Sequence, residues 1–527
     1  MTTQHDPIRA EVVARYLLGV TEEMSAALTR TAFSPNIKER GDCSTAVFDA
    51  LGNVVALPQR VPIHLGSMVG VVEQVLKRFD REEIQDGDMF LANDPYHGGG
   101  SHLPDINVIA PVFYDGKIVA YVANIAHHAD VGGMVPGSEA AVCTSIFQEG
   151  IRIPPVRIMA QGQVNRDVMN ILLLNSRTPD ERVGDLNAQF AANLVGQRAV
   201  QALFRRYGVD TLTDTIADYL DFTERRFRSV LNSLPEGTYE AIDYLDGSRA
   251  GERAAIKVKL KVGGDKLKFD FTESDDQLNA ARNIPHRALL ATVYTVVKSM
   301  LDPDIAANSG YFRAIGIAVR PGSVVDPVSP AAVGARAISC AVLGDVVAGA
   351  LSQTTPGKGL ACSGPHQLVV FAGDDPVRGR YFVNYETIAG GMGARSYRNG
   401  MDAVRVHASG SANLPVEAAE HAYPLLVEQY ALRDGSGGEG EYVGGMGIVR
   451  DYRNLGDNVV LSLSSERQSI AASGAGGGGA GALGGFILNP DTPDEQRLPA
   501  SAADVAFAKG QVLRVLTPGG GGYGAGN

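Results

Sequence analysis

Between positions 93 and 130 the chain concentrates Asn93, Asp94, His97, His102, Asp105, His127, His128 and Asp130, and four of the ten histidines of the protein fall in this window. Imidazoles and carboxylates are the ligand set of hard and borderline divalent cations, so the chemistry they suggest is a metal site for zinc or manganese, with a place left for water or substrate. His102 and Asp105 are three residues apart with Pro104 between them, so one restricted loop can aim both at one point. His127 ends an apolar stretch, and a strand–turn–strand return would bring it to the same edge. His97 and His128 compete for the ligand positions. Asp42, just before another strand, could add a carboxylate, while Asp94 and Asp130 could orient an imidazole from behind. A single histidine is more often an ordinary hydrogen-bonded residue, so the joint occurrence carries the reading.

The elements that must position these residues follow from periodicity. Residues 7–33 read as a helix stopped at Ser34-Pro35-Asn36, 44–49 and 54–57 as a hairpin, and 66–80 as a second helix. Strands are expected at 89–92, 106–113 and 118–125, the last two joined by a turn at 114–117. Residues 165–234 read as helical. After Gly237 the pattern returns to strands at 257–262 and 267–272, with helices at 285–302 and 339–353. The last hundred residues read as glycine-punctuated strands, including Gly474–Gly485 and Pro518–Gly522. The fold class is α+β and multi-domain: a metal-site domain over 1–237, including the helical segment, and a glycine-rich, strand-rich domain over 238–527. Neither glycine run carries the lysine of a phosphate loop or sits between a strand and a helix, so each reads as a loop or close-packed turn, and the chain shows no ATP site of its own.

Composition sets the outer limits. With 45% hydrophobic and 20% charged residues, the 527-residue chain is globular rather than disordered. A net charge of −12 without a long basic run argues against a nucleic-acid partner. The cysteines, 43, 143, 340 and 362, have no paired spacing and read as buried reduced thiols. No signal-peptide pattern opens the chain, and the longest apolar run, 331–351, is broken by Arg336 and Asp345, so a cytoplasmic protein without membrane spans is expected.

Several stretches carry a resemblance: SPNIKERGDCSTAVFDALGNVVA, VPIHLGSM, GDMFLANDPYHGGGSHLPDINVIAPVF, NIAHHADVGGMVPGS, EGIRIPPVRI, FDFTESD, AARNIPHRA, NYETIAGGMGAR, NLPVEAAEHAYPLLVEQYALR, GGMGIVRDY and LTPGGGGYG. Together they resemble the hydantoinase B/oxoprolinase family over nearly the whole chain, most specifically in the 88–134 block. The resemblance implies a B-type subunit that opens a hydantoin, 5-oxoproline or lactam ring. ATP is used by a hydantoinase A-type partner, which phosphorylates the amide oxygen, in a hetero-oligomer such as a heterotetramer. It also implies Asp42, His102, Asp105 and His127 as metal ligands, with His127 preferred over His128. Asp94, His97 and His128 stand as candidates to accept the water's proton. Arg40 or Arg395 could balance phosphate charge, and the glycines at 98–100 and 390–393 could let substrate approach the backbone. Cys43 departs from the family, where an aromatic residue is common, a change of packing beside the site. Two other readings are a subunit of an acetone- or acetophenone-type ketone carboxylase, whose counterparts tend to be longer, and a non-catalytic scaffold for the partner.

Overall fold

In the computed structural model, which describes residues 6–58, 60–246, 252–355 and 357–526, the strands around the His/Asp window form a seven-stranded antiparallel sheet. Across it run Val54–Ala56, Cys43–Asp49, Lys117–His127, Asp105–Tyr114, Met89–Ala92, Val156–Ala160 and Gln163–Val164. Successive side chains enter different cores. Val47, Val108, Ala110 and Val122 pack toward the helices Pro7–Thr31 and Pro179–Tyr207, whereas Phe48, Ile109, Tyr121 and Ala123 face the other way. A sheet covered on both sides needs apolar residues at almost every position, which explains the unbroken run Val108–Ala110.

The second face is covered by the helices Pro62–Met68, His286–Leu301 and Arg336–Ser352. Beyond them lies a four-stranded sheet in the order Ile315–Ala318, Lys266–Asp270, Arg253–Gly263, Gly237–Asp246. This core runs across the change of pattern at position 237, since Phe48 and Phe90 share it with Leu260, Phe269 and Val347. The helix expected over 66–80 is two shorter ones, Pro62–Met68 and Val71–Leu76, because Gly70 between them has φ +74°. The helical stretch 165–234 is three helices, Arg166–Leu174, Pro179–Tyr207 and Val209–Leu231, the last two separated at Gly208.

The remaining strands build two further sheets, one of Arg380–Ile388, Gln367–Asp375, Asp457–Ser464 and Ser501–Ala506, the other of Leu425–Leu432, Ile448–Asn454, Val512–Leu516, Gly485–Leu488 and Gln496–Leu498. Phe371, Leu461, Tyr452, Phe486 and Val515 form the core they share.

The glycine runs correct the expectation of strands. Pro518–Gly522 and most of Gly474–Gly484 are not sheet strands; they form a lattice of extended backbone segments packed directly on one another. The amides of Gly519, Gly520, Gly521 and Gly522 donate in turn to Ala482, Gly445, Cys362 and Gly479 carbonyls at 2.8–3.1 Å. The partner segment thus recurs at the third residue, the periodicity of a threefold extended helix rather than the twofold pleat of a strand. Only glycine fits: a Cβ at Gly391 would stand 1.9 Å from Gly445 O, and one at Gly520 2.2 Å from Met392 O. Gly390, Gly391 and Gly393, read as openings for substrate, are spent on this packing. Gly98–Gly100 likewise lie against the backbone of Asn93 and Asp94 and against Val71. Among the described residues no helix is long and apolar enough to cross a membrane.

Candidate metal centre

Asp105 opens one central strand and His127 closes its neighbour, and the antiparallel register sets the two opposite each other. The third strand, starting at Cys43, pairs with Ala126, and Asp42 O accepts the His127 amide at 3.0 Å. Three strand ends therefore meet at one edge of the sheet. His102 reaches the same point from the preceding loop, where its carbonyl accepts the Asp105 amide at 3.2 Å. One ligand-type atom from each of His102, Asp105 and His127 lies within 4.8 Å of the other two, and all three residues are buried.

Strand alternation separates His127 from His128. The His128 ring turns to the helix side, with Nε2 3.0 Å from Gln189 Oε1, and burial and the nearby Arg182 push its pKa down to about 4. His97 is exposed. Asp94 accepts the Tyr96 and His97 amides and pairs with Arg152 at 2.6 Å, stapling its own loop. Asp130 plays the same part for Gly132, Gly137 and Arg177. None of these four joins the His102–Asp105–His127 group. Arg395 lies apart from it, reaching Met392 Sδ.

Three participants escaped the sequence reading. Glu139 brings Oε2 to 3.6 Å from both His102 Nδ1 and His127 Nε2. His64, on the helix Pro62–Met68, holds Nε2 3.7 Å from both Asp42 Oδ1 and Asp105 Oδ1, with Nδ1 3.1 Å from Ser44 Oγ. Arg336, at the start of its helix, bonds Asp105 Oδ2 at 2.7 Å and Ser101 Oγ at 2.9 Å. A signal existed for Arg336, one of two charges interrupting the apolar run 331–351. Glu139 sits in a loop without a distinguishing pattern.

Electrostatics favours ionised carboxylates here. Burial opposes ionisation of Asp105, yet His102 and Arg336 outweigh it and hold its carboxyl well below the ordinary value. Glu139 and Asp42 are also lowered against burial, the first by the facing His127 and His102 imidazoles and the second by the charges of His127 and His64.

The residues fit a divalent cation. His102 Nε2, Asp105 Oδ1, His127 Nε2 and Glu139 Oε2 are all buried without a hydrogen-bond partner, and each such atom costs about 1–3 kcal/mol if nothing satisfies it. His102 Nε2 and Asp105 Oδ1 are 3.2 Å apart, near the roughly 3.4 Å separation of ligands on a tetrahedral ion at about 2.1 Å. The proton of His102 is placed on Nδ1 by Gly334 O at 3.2 Å, leaving Nε2 free to coordinate. At His127 the Asn36 amide donates to Nδ1 at 2.9 Å, which puts the neutral ring's proton on Nε2, facing Glu139. A cation there requires that proton to leave Nε2, because the Asn36 amide is held in this orientation by Arg40 Nη1 on its oxygen at 2.6 Å and by His127 O on its nitrogen at 2.8 Å. The group Asp243, Asp345 and Cys362 is different: Arg467 lies 3.1 Å from Asp243 Oδ1 and 3.3 Å from Asp345 Oδ2, so a cation is already in place.

Glu149 supports this site from behind, taking the Val333 and Gly334 amides on Oε1. Burial raises its pKa from 4.5 to about 8 against those two bonds. A carboxyl raised on folding favours the folded state while protonated, so its contribution is full below about pH 4.5 and is lost as pH rises through about 8. Glu149→Gln is expected to flatten the decline of the thermal midpoint between those values; an unchanged slope would remove Glu149 as its source.

A mixed fold with a buried imidazole–carboxylate cluster at the ends of three strands defines the class. A profile of the hydantoinase B/oxoprolinase family matches residues 6–526, and the chain belongs to that family. It is 35% identical to an uncharacterized protein of Methanocaldococcus jannaschii over 99% of this chain and 91% of that one. It is 31% identical to the caprolactamase subunit beta of Pseudomonas jessenii (98% and 91%). It is 32% identical to the 5-oxoprolinase of Dictyostelium discoideum over 99% of this chain, which spans 41% of that protein. Among solved structures, the ATP-dependent caprolactamase of Pseudomonas jessenii superposes with a TM-score of 0.91 at 29% identity, over 99% of this chain and 92% of that one. Acetone carboxylase superposes with the same score at 18% identity (99% and 76%), which is a likeness of fold.

Proposed function

We propose that this chain is the hydrolytic B-type subunit of an ATP-dependent cyclic amidohydrolase. It would open a hydantoin, 5-oxoproline or lactam ring whose amide oxygen has been phosphorylated by a hydantoinase A-type partner. The observation that carries the reading is the set of four buried, unpartnered ligand atoms on His102, Asp105, His127 and Glu139. Kinship with a caprolactamase beta subunit and with 5-oxoprolinase supports the substrate class. Lactam hydrolysis is what that chemistry serves, whereas a scaffold has no use for such a cluster.

His102, Asp105 and His127, with Asp42 at the rim, would hold a zinc or manganese ion. Bound there, it would supply Lewis acidity and lower the pKa of water. Arg336 keeps Asp105 ionised and fixed, and Gly334 orients His102. A cavity of about 20 Å³, room for one water, is bordered by Asp42, His64, Asp105 and His127. Of the imidazoles on that wall, His64 is the one not in the ligand trio, and it is placed to take the proton of the attacking water.

The test mixes the purified chain, the A-type partner, ATP and zinc or manganese with hydantoins, 5-oxoproline and caprolactam. Ring opening that requires both subunits is expected, and His64→Gln should lower kcat by about 100-fold or more with bound metal retained. Bicarbonate-dependent carbon fixation on acetone or acetophenone, without ring opening, would replace this reading with a ketone carboxylase. Metal loss in His64→Gln would make His64 a ligand instead.

A further inference from the structure

The cluster's small cavity has a second wall of another chemistry, formed by Arg405, Ser409, Ser411 and Tyr385. Arg405 donates to Ser409 Oγ at 2.6 Å, to Ser411 Oγ at 2.7 Å and to Thr387 Oγ1. Buried Arg40 converges on the same hydroxyls, donating to Thr387 Oγ1 and reaching Ser411 Oγ at 3.5 Å. The remaining Arg40 donors go to Asn36 Oδ1 and to the Ala412 and Tyr385 carbonyls. Among the described residues neither guanidinium makes an ion pair with a carboxylate. Two like charges thus share neutral partners, and burial together with Arg40 pushes the Arg405 pKa down to about 10. The Nη2 edge of Arg405 has no partner among the described residues.

Arg405 also borders a cavity of about 510 Å³, with Lys358, Arg395 and His407 on its wall and no aspartate or glutamate. In a chain of net charge −12, a largely apolar cavity whose formally charged wall residues, Lys358, Arg395 and Arg405, are all cations concentrates anions. A larger cavity, about 610 Å³, opens beside the first helix; it carries both signs of charge and touches none of the cluster residues. Arg405 is therefore the wall common to a cationic chamber and the His/Asp cluster.

We propose that Arg405, oriented by Ser409 and Ser411 and backed by Arg40, is a tetrahedral-oxyanion subsite that takes the phosphoryl group of the activated substrate, which enters through the Lys358–Arg395 chamber. A guanidinium edge with flanking hydroxyls complements phosphate oxygens. The assignment rests on the phosphorylated-amide reading above, and its test does not need turnover.

Inorganic phosphate is titrated calorimetrically into the full chain with chelator present, so that no metal contributes. Arg405→Met is expected to weaken phosphate binding by about 10- to 100-fold. Arg405→Lys should restore part of it, and Ser411→Ala, a milder change, should weaken it less. Sulfate should compete and acetate should not. Equal phosphate affinity in folded wild-type and Arg405→Met protein would overturn the proposal, as would acetate competing as well as sulfate. Arg405-dependent phosphate binding in a chain whose reconstituted complex opens no cyclic amide would leave the subsite standing and remove the amidohydrolase reading.

Discussion

Asp105→Asn and His102→Gln are each expected to reduce bound zinc or manganese to near zero and ring opening by more than about 100-fold, a lower limit taken from the loss caused by neighbours of metal ligands. Both supply atoms that have no other partner, His102 Nε2 and Asp105 Oδ1. The two variants should nevertheless differ once metal is chelated. Asp105 Oδ2 holds buried Arg336 at 2.7 Å, and breaking a buried ion pair from one side costs about 3–5 kcal/mol. Asp105→Asn should therefore melt well below the chelated wild type, whereas His102→Gln, which removes an orphaned atom without stranding a charge, should not. Added zinc should raise the wild-type midpoint through mass action and leave both variants unmoved. Elemental analysis of folded protein and melting curves with and without chelator decide the matter. Stoichiometric metal retained in both variants would place the metal centre elsewhere.

The second large effect concerns the glycine lattice. Gly520→Ala is expected to destabilise the protein by about 3 kcal/mol or more. The new methyl would lie 2.2 Å from Met392 O and 2.3 Å from Met392 C, and backbone cannot rotate aside as a side chain can. Separating the segments would also weaken the bonds of Gly520 N to Gly445 O and of Gly438 N to Gly520 O. Gly19→Ala provides the contrast: it lies inside the helix Pro7–Thr31 with nothing within 4 Å of an added Cβ, so it should stabilise by about 0.5–1 kcal/mol. Denaturant unfolding of the two variants checks both signs. An unperturbed Gly520→Ala protein would show that the segments are not packed backbone to backbone.

Much of the N-terminal sheet was legible because its signals are local. The strands expected at 106–113 and 118–125 occur as Asp105–Tyr114 and Lys117–His127, since two short apolar runs around a tight turn leave little choice. The helices near 285–302 and 339–353 are found within a few residues of those bounds. The glycine runs were not legible: their hydrogen-bond partners lie up to about 160 residues away, from Cys362 to Gly521, and glycine has no side-chain pattern to announce them.

By itself the sequence determined which residue types crowd the strand ends, and hence that His102, Asp105 and His127 were candidates for one cation. It also fixed the family, through motifs spread along the whole chain. Only the tertiary structure decided that it is His127, and not His128, whose face of the sheet meets His102 and Asp105. It alone brought His64, Glu139, Arg336 and Arg405 to one place from four separate segments. Periodicity reports the face a side chain takes within its own element, whereas a site assembled across 340 residues depends on which elements pack together, and that is settled by the core they share.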